Sequence, residues 1–172
     1  AHIKEHKDVI NSFDEEIIKK IEEVSNVLVD CLSQGKTIFW CGNGGSAGDS
    51  QHLAAELIGR YKNDRRPLRS IALTTDSSVI TCISNDYSYE KVFERQIEGL
   101  GTEGDTLIGI TTSGNSLNVL NAIKKAKDIG VTTICLLGKD GGSANKIADH
   151  SIIINSDSTA RIQEMHIMIG QI

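Results

Sequence analysis

His52 and Glu56 are a pair of side chains that could do chemistry together. They lie four residues apart in a predicted helix, after an apolar run, Ile38 to Cys41, and a glycine-rich turn, Gly42 to Gly48. Four residues are about one helical turn, so both side chains share one face of the helix. The pair could bind a divalent metal, or the carboxylate could remove a proton from carbon. Many such pairs are ordinary surface residues, but the turn that opens this helix favours a site.

The glycine-rich turn could itself bind an anion, because backbone amides meet the positive end of a helix there. Gly42, Gly44 and Ala47 also match the G-x-G-x-x-A pattern of dinucleotide-binding proteins. That pattern requires an acidic residue at the end of the second strand, roughly 20 residues later. Here a basic connector, 62–69, intervenes, and the first acid after the second predicted strand is Asp76. NAD(P) binding is therefore the disfavoured alternative.

A second polar turn follows the apolar run Asp105 to Ile110 and precedes another predicted helix. Its hydroxyl side chains are those of Thr111, Thr112, Ser113 and Ser116. Hydroxyls and amide N–H groups at the start of a helix can all donate to the same anion, so this turn is expected to bind phosphate without a lysine. The alternative is that these residues only cap the helix, but one capping residue would suffice for that.

Short apolar runs alternate with helical patterns along the chain, which is typical of a doubly wound α/β domain. The predicted strands are 38–41, 70–73, 105–110, 132–137 and 151–154. Further helices are predicted over 79–84, 87–100, 117–129 and 144–148, and from Thr159 onwards. We therefore predict a five-stranded parallel sheet flanked by helices, with its ligand at the carboxyl ends of the strands. The last helix has no capping residue, and we expect it to continue past Ile172.

The N-terminal segment is helical as well. Apolar residues recur at helical spacing over residues 3–34, which predicts one long amphipathic helix or two in tandem. We predict a single domain over 1–172, made of this helical segment, 1–34, and an α/β core, 35–172. A long helix before the first strand has little of its own domain to cover it, so we expect it at the interface of a homo-oligomer. The alternative is that it packs on its own core.

Composition excludes several classes of protein. The 172 residues have a formal net charge of −5, and no basic run indicates a nucleic-acid or membrane partner. No signal peptide is evident, and no apolar run approaches the ~18 residues that span a bilayer. The cysteines have no CxxC spacing and are expected to be free thiols: Cys31, Cys41, Cys82 and Cys135. We therefore expect a cytoplasmic protein.

Five stretches together resemble the sugar isomerase (SIS) domain, and within it the phosphoheptose isomerases. They are CGNGGSAGDSQHLAAELIGRY, SNDY at Ser84 to Tyr87, GITTSGNS, LLGKDGG at Leu136 to Gly142 and RIQEMHI at Arg161 to Ile167. The resemblance covers nearly the whole chain. It implies a cytoplasmic homotetramer with one zinc ion per subunit. The implied reaction converts sedoheptulose 7-phosphate into D-glycero-D-manno-heptose 7-phosphate, for heptose of bacterial lipopolysaccharide or capsule.

The resemblance also implies roles for individual residues. The loop that contacts the sugar corresponds to Asn43, Gly44, Gly45 and Ser46, and a further substrate contact to Asn85 and Asp86. The phosphate contacts correspond to Thr111, Thr112, Ser113 and Ser116. The implied zinc ligands are His52, Glu56, Gln163 and Gln171, of which Glu56 and Gln163 also contact substrate. Glu56 is the implied catalytic base, which moves a proton between C1 and C2 through a cis-enediol. The helical spacing of Gln163 and Gln171 does not by itself identify either of them as a site residue.

One position departs from the family pattern. The isomerases carry a histidine eight residues after the matching glutamine, as metal ligand and second catalytic group, where this sequence has Gln171. An amide cannot exchange a proton near neutral pH, so His166, a water or another residue would be the second acid/base. Ala160 also replaces an acid that relatives commonly carry. The alternative function is a non-catalytic SIS protein that binds a phosphosugar or a protein partner, such as the replication initiator.

Overall fold

The computed structural model describes all 172 residues and contains one five-stranded sheet. The strands are β1 (Ile38–Gly42), β2 (Ser70–Ala72), β3 (Thr106–Thr111), β4 (Thr132–Gly138) and β5 (His150–Ile154). Every neighbouring pair is parallel, and the strand order is β2-β1-β3-β4-β5. The predicted doubly wound parallel sheet is confirmed, and each strand lies within two residues of its predicted bounds.

Seven helices surround the sheet. They are α1 (His2–Asn11), α2 (Glu15–Ser33), α3 (Gly45–Ile58), α4 (Ser77–Asp86), α5 (Val92–Leu100), α6 (Leu117–Asp128) and α7 (Thr159–Gly170). The predicted helix 87–100 begins instead with a 3₁₀ turn, Tyr89–Lys91, because Ser88 has an extended backbone that separates it from α4. The predicted short helix 144–148 is a single 3₁₀ turn, Ala144–Lys146.

The strand order places the ligand crevice between β1 and β3. From β1 the chain proceeds outward to β2, then returns to β3 and continues to the opposite edge. In such sheets the ligand binds where this reversal occurs, outside the carboxyl ends of the two central strands. Gly42 at the end of β1 pairs in register with Ile110 at the end of β3. The two turns selected from the sequence therefore lie side by side.

Alternate strand residues build a core on each face of the sheet, as the period of a β-strand requires. On one face Trp40 packs in a cluster with Leu53 of α3, Met165 of α7 and residues of α2. On the other, Phe39 packs in a cluster with residues of α4, α5 and α6. Helices α3 and α7 thus share one face of the sheet, where they pack against each other.

The N-terminal segment forms two helices in tandem, and α2 packs on its own domain. Ile21, Val24 and Cys31 are buried in the same cluster as the sheet residues. Two further apolar residues of α2 remain exposed, Ile18 by 52% and Val29 by 63%. One face of α2 is therefore covered within the chain, while the interface role of residues 1–34 stays a prediction.

None of the helices has both the length and the apolar composition that crossing a membrane requires. The cysteines are free, as predicted, and three of them, Cys31, Cys41 and Cys135, are buried.

Candidate functional site

The polar turn after β3 holds its hydroxyls close together. Thr111 Oγ1 lies 3.0 Å from Ser116 Oγ and 3.5 Å from Ser113 Oγ. Ser116 is the N-cap residue of α6, but its side chain makes no capping hydrogen bond to the helix. The first N–H groups of α6 therefore have no hydroxyl acceptor from this residue, which argues against capping as its only role. The hydroxyls thus lie together at the start of α6, an arrangement that could bind an anion.

A loop from β4 braces this turn. Gly114 has a φ of +66°, and a Cβ added to it would overlap the carbonyl oxygen of Gly141. Gly114 O accepts from Ala144 N at 2.9 Å, and Asn115 Oδ1 accepts from Ser143 N at 3.0 Å. The sequence motif LLGKDGG, which had no assigned role, thus supplies the loop that packs against the phosphate-type turn.

The glycine-rich turn after β1 contributes Asn43 and the start of α3. Asn43 exchanges side-chain hydrogen bonds with Asn118 of α6, at 2.8 and 2.9 Å. Tyr89 donates its hydroxyl to Asn43 Oδ1 at 2.9 Å. Sequence reasoning missed Asn118 and Tyr89. For Asn118 the signal was available, because it is a polar residue next to the apolar, core-facing Val119 and Leu120 of α6.

Two side chains converge on one carboxylate oxygen of Glu56 at the other end of α3. Glu56 Oε1 lies 3.0 Å from His52 Nε2, and it accepts from Gln171 Nε2 at 2.9 Å. The side chain of Glu56 is 20% exposed, whereas that of His52 is 54% exposed. The structure therefore brings together three of the four predicted zinc ligands.

The fourth predicted ligand, Gln163, lies elsewhere. Helices α3 and α7 run side by side in the same direction, with Gly170 packed against Leu53 near their carboxyl ends. Gln163 lies near the start of α7 beside Gly45, where a Cβ would be 2.5 Å from its Nε2. Along α7, Gln163 is roughly 12 Å from Gln171, at about 1.5 Å per residue. Gln163 is thus grouped with the glycine-rich turn, and Gln171 with Glu56.

Glu56 and Gln171 open onto a cavity of about 590 Å³ between α2, α3, α7 and the connector after α3. Its walls combine apolar residues such as Trp40 with the connector residue Arg65. Arg65 donates to the backbone carbonyls of Glu56 and Leu57, both at 2.9 Å. The guanidinium thereby satisfies carbonyls at the carboxyl end of α3 and fixes the backbone that carries Glu56.

His166 is fully buried and faces the sheet. Its Nε2 lies 2.9 Å from Leu137 O, and its Nδ1 has no hydrogen-bond partner. Burial lowers the pKa of His166 to about 4, although the backbone contact acts in the opposite direction. A neutral imidazole without solvent access cannot exchange protons with a substrate, so His166 is not the second acid/base.

Two other carboxylates lie near the site elements. Asn85 and Asp86 are exposed at the end of α4, where Asn85 Nδ2 donates to Asp86 Oδ1 at 2.8 Å. Asp49, which the sequence reasoning missed, precedes His52 by three residues, so that both lie on one side of α3. Its Oδ2 is buried without a partner, and burial raises its pKa while the charge of His52 lowers it.

Comparison with known proteins gives a consistent result. The sequence model of the SIS domain matches residues 1–138. The phosphoheptose isomerase of Aliarcobacter butzleri is 53% identical over 171 residues, which cover 98% of this chain and 90% of that protein. Phosphoheptose isomerase 1 of Campylobacter jejuni is 54% identical over 167 residues, which cover 96% and 89%. The solved structure of phosphoheptose isomerase GmhA from Neisseria gonorrhoeae matches with a TM-score of 0.93 at 38% identity, covering 98% and 90%.

Proposed function

The chain belongs to the SIS-domain family, within the phosphoheptose isomerases, and from this premise we propose that it converts sedoheptulose 7-phosphate into D-glycero-D-manno-heptose 7-phosphate. The observation that carries the proposal is the Glu56 carboxylate, which His52 and Gln171 hold in place at the edge of a cavity. The reaction would serve bacterial heptose synthesis. Aldose–ketose isomerisation needs a positioned carboxylate and an anchored phosphate, and the chain has a candidate for each.

The phosphate would be bound by Thr111, Thr112, Ser113 and Ser116. The hydroxyls of Ser113 and Ser116 each lie within 3.5 Å of that of Thr111, next to the start of α6. Their O–H groups and the helix N–H groups can all donate to phosphate oxygens. The sugar hydroxyls would contact the turn Asn43 to Ser46, together with Asn85, Asp86 and Gln163.

Glu56 would act as the base. Its carboxylate would take a proton from C1 of the ketose, the C1–H electrons would form the C1=C2 bond of a cis-enediol, and O2 would gain a proton. Return of the proton to C2 and loss of a proton from O1 give the aldose. Gln171 cannot exchange a proton and His166 is buried, so the exchange at the oxygens falls to water.

We propose that zinc binds at His52, Glu56 and Gln171. The 3.0 Å between His52 Nε2 and Glu56 Oε1 is close to the roughly 3.3 Å between two ligands of a tetrahedral zinc ion. No group of three or more His, Cys, Asp or Glu side chains is placed to hold a metal. We therefore propose a side-chain amide oxygen as the third protein ligand, and a turn of the Gln171 amide would present one. Bound zinc would polarise the substrate oxygens.

We propose further that the enzyme is a homotetramer whose site combines two subunits. Glu56 lies roughly 16 Å along α3 from Gly45, next to which the phosphate turn lies. The distance from C2 to phosphorus in an extended heptose 7-phosphate is only roughly 9 Å. One chain could therefore not easily contact both the phosphate and the reacting carbons of one substrate, whereas two copies together could. Gln163 would then join the zinc ligands from the neighbouring subunit, and exposed Ile18 and Val29 are available for assembly.

The cytoplasm is the proposed location, which the free cysteines support, because a reducing compartment keeps thiols unpaired.

Turnover of sedoheptulose 7-phosphate by the purified protein tests the function directly. We expect the aldose product to form, and zinc addition after treatment with a chelator to restore the rate. Gln171 is the observation that favours the second candidate, a non-catalytic phosphosugar-binding protein. Binding of the sugar phosphate by calorimetry with no turnover, with and without zinc, would support that candidate and reject the isomerase.

A further inference from the structure

A small hydrogen-bond network joins three segments that surround the crevice. Asn43 follows β1, Asn118 lies in the first turn of α6, and Tyr89 begins the 3₁₀ turn after α4. Asn43 Nδ2 donates to Asn118 Oδ1 at 2.9 Å, and Asn118 Nδ2 donates to Asn43 Oδ1 at 2.8 Å. The Tyr89 hydroxyl donates to Asn43 Oδ1 at 2.9 Å. Asn118 is 4% exposed, so its side chain makes these hydrogen bonds inside the protein.

A backbone group fixes the orientation of both amides. Val119 N–H can only donate, and it donates to Asn118 Oδ1 at 3.0 Å. Asn118 must therefore turn its NH₂ group toward Asn43, which in turn must present its oxygen there. With that orientation set, Asn43 Oδ1 accepts two hydrogen bonds, from Asn118 and from Tyr89. Both of its lone pairs are engaged.

The network leaves Asn43 with one free N–H. Of its two N–H groups, one donates to Asn118 and the other has no partner within the protein. Asn43 is half-buried at the turn proposed to contact the sugar, so this N–H can donate to a substrate oxygen. Without Asn118 or Tyr89 the amide could rotate and present its oxygen instead, which could not donate.

We propose that Asn118 and Tyr89 are positioning residues for the isomerase: they lock the Asn43 amide so that it offers a hydrogen-bond donor to the sugar. This inference rests on the function proposed above. Neither residue needs to touch the substrate, because each acts through Asn43. The network also ties the segment after Asn85 and Asp86 to the helix that follows the phosphate turn, so the three segments keep one arrangement.

The smallest substitution that tests the proposal removes the Tyr89 hydroxyl. Tyr89→Phe is expected to lower kcat/KM for sedoheptulose 7-phosphate about fivefold, the usual effect of losing one neutral hydrogen bond. Tyr87→Phe is the matched control, because the Tyr87 ring stacks on Arg95 and its hydroxyl makes no hydrogen bond to Asn43. We expect the control to match the wild type. Equal rates for Tyr89→Phe and the wild type would overturn the role of Tyr89.

A double-mutant cycle separates positioning from a general structural effect. Asn118→Leu is expected to lower kcat/KM about tenfold or more, and Asn43→Ala by at least as much. If Tyr89 and Asn118 act through Asn43, neither substitution should lower kcat/KM further in an Asn43→Ala background. Additive losses would contradict the proposal. Should Asn118→Leu fail to fold, the cycle between Tyr89→Phe and Asn43→Ala decides the question.

The failure of this inference can be told apart from that of the proposed function. An active wild type with an unaffected Tyr89→Phe rejects the network alone. An inactive wild type rejects the isomerase, and the same cycle is then measured on the affinity for sedoheptulose 7-phosphate by calorimetry. Non-additive losses of affinity would still support the locked amide, and additive or absent losses would reject it.

Discussion

Gln171 donates its side-chain amide to Glu56 Oε1 at 2.9 Å, across the contact between α7 and α3. Gln171, at the position where the resemblance implies a histidine, is thus directly joined to the proposed base. An amide can hold the carboxylate in place and, when turned, can offer an oxygen to a metal, but it cannot carry a proton.

Glu56→Gln is expected to lower kcat by about 100-fold or more, because an amide cannot take the proton from C1. KM should change little, since the amide keeps the size and hydrogen-bonding capacity of the side chain. The conversion of sedoheptulose 7-phosphate is the measurement, and Glu22→Gln, an exposed residue of α2, is the control. Full turnover by Glu56→Gln would exclude Glu56 as the base.

Gln171→His is expected to raise the zinc content of protein purified without chelator, because an imidazole binds zinc more strongly than an amide does. Gln171→Ala should lower it. Metal analysis of the three proteins, normalised to subunit concentration, gives a readout that does not depend on turnover. Equal zinc contents in all three would show that Gln171 is not a ligand.

Mixed oligomers test whether two subunits share a site. Glu56→Gln removes the base, and Ser116→Asp places a negative charge where the phosphate is proposed to bind. Each variant alone should be inactive. If each site combines one half from each of two chains, random mixing should restore about a quarter of the wild-type activity. A mixture that stays inactive, although mass spectrometry shows that the subunits have exchanged, would place the whole site within one chain.

Buried His166 should make the folded protein sensitive to acid. Its pKa is about 4 when folded and about 6.5 when unfolded, so the unfolded chain binds the additional proton between these values. The free energy of unfolding should therefore fall as the pH drops from 6.5 to 4, by about 3 kcal/mol from this residue alone. Urea denaturation at pH 7 and pH 5 measures the effect.

His166→Gln is the comparison for that experiment, because a glutamine can still donate to Leu137 O but does not titrate. The variant should lose much of the difference in unfolding free energy between the two pH values. If its pH dependence equals that of the wild type, other groups cause the acid sensitivity.

The sheet and its turns were accessible from sequence because they depend on local signals. Buried strands such as Ile38–Gly42 appear as continuous apolar runs, and polar turns with glycine follow β1 and β3 directly. The burial of His166 could also be inferred from the spacing of residues along α7, since it lies four residues after buried Ile162 and three before buried Ile169.

The contacts between distant segments could not be predicted in this way. Whether Gln163 or Gln171 meets Glu56 depends on how α7 lies against α3, which the packing of Gly170 on Leu53 determines. The same holds for Asn43 and Asn118, which are separated by 75 residues. The residue types identified Gln163 and Gln171 as candidates. The packing of α3 and α7 on the sheet determines which of them contacts Glu56.

The contact between Gly114 and Gly141 has a consequence for the energetics of substrate capture. The turn proposed to bind phosphate is braced by a neighbouring loop before any ligand arrives, through backbone atoms in direct contact. The entropy of ordering this turn is therefore lost during folding and is not subtracted from the binding free energy of the phosphosugar. The turn is preorganised, and if it binds the phosphate as proposed, the affinity gained in this way is available to the proposed chemistry at Glu56.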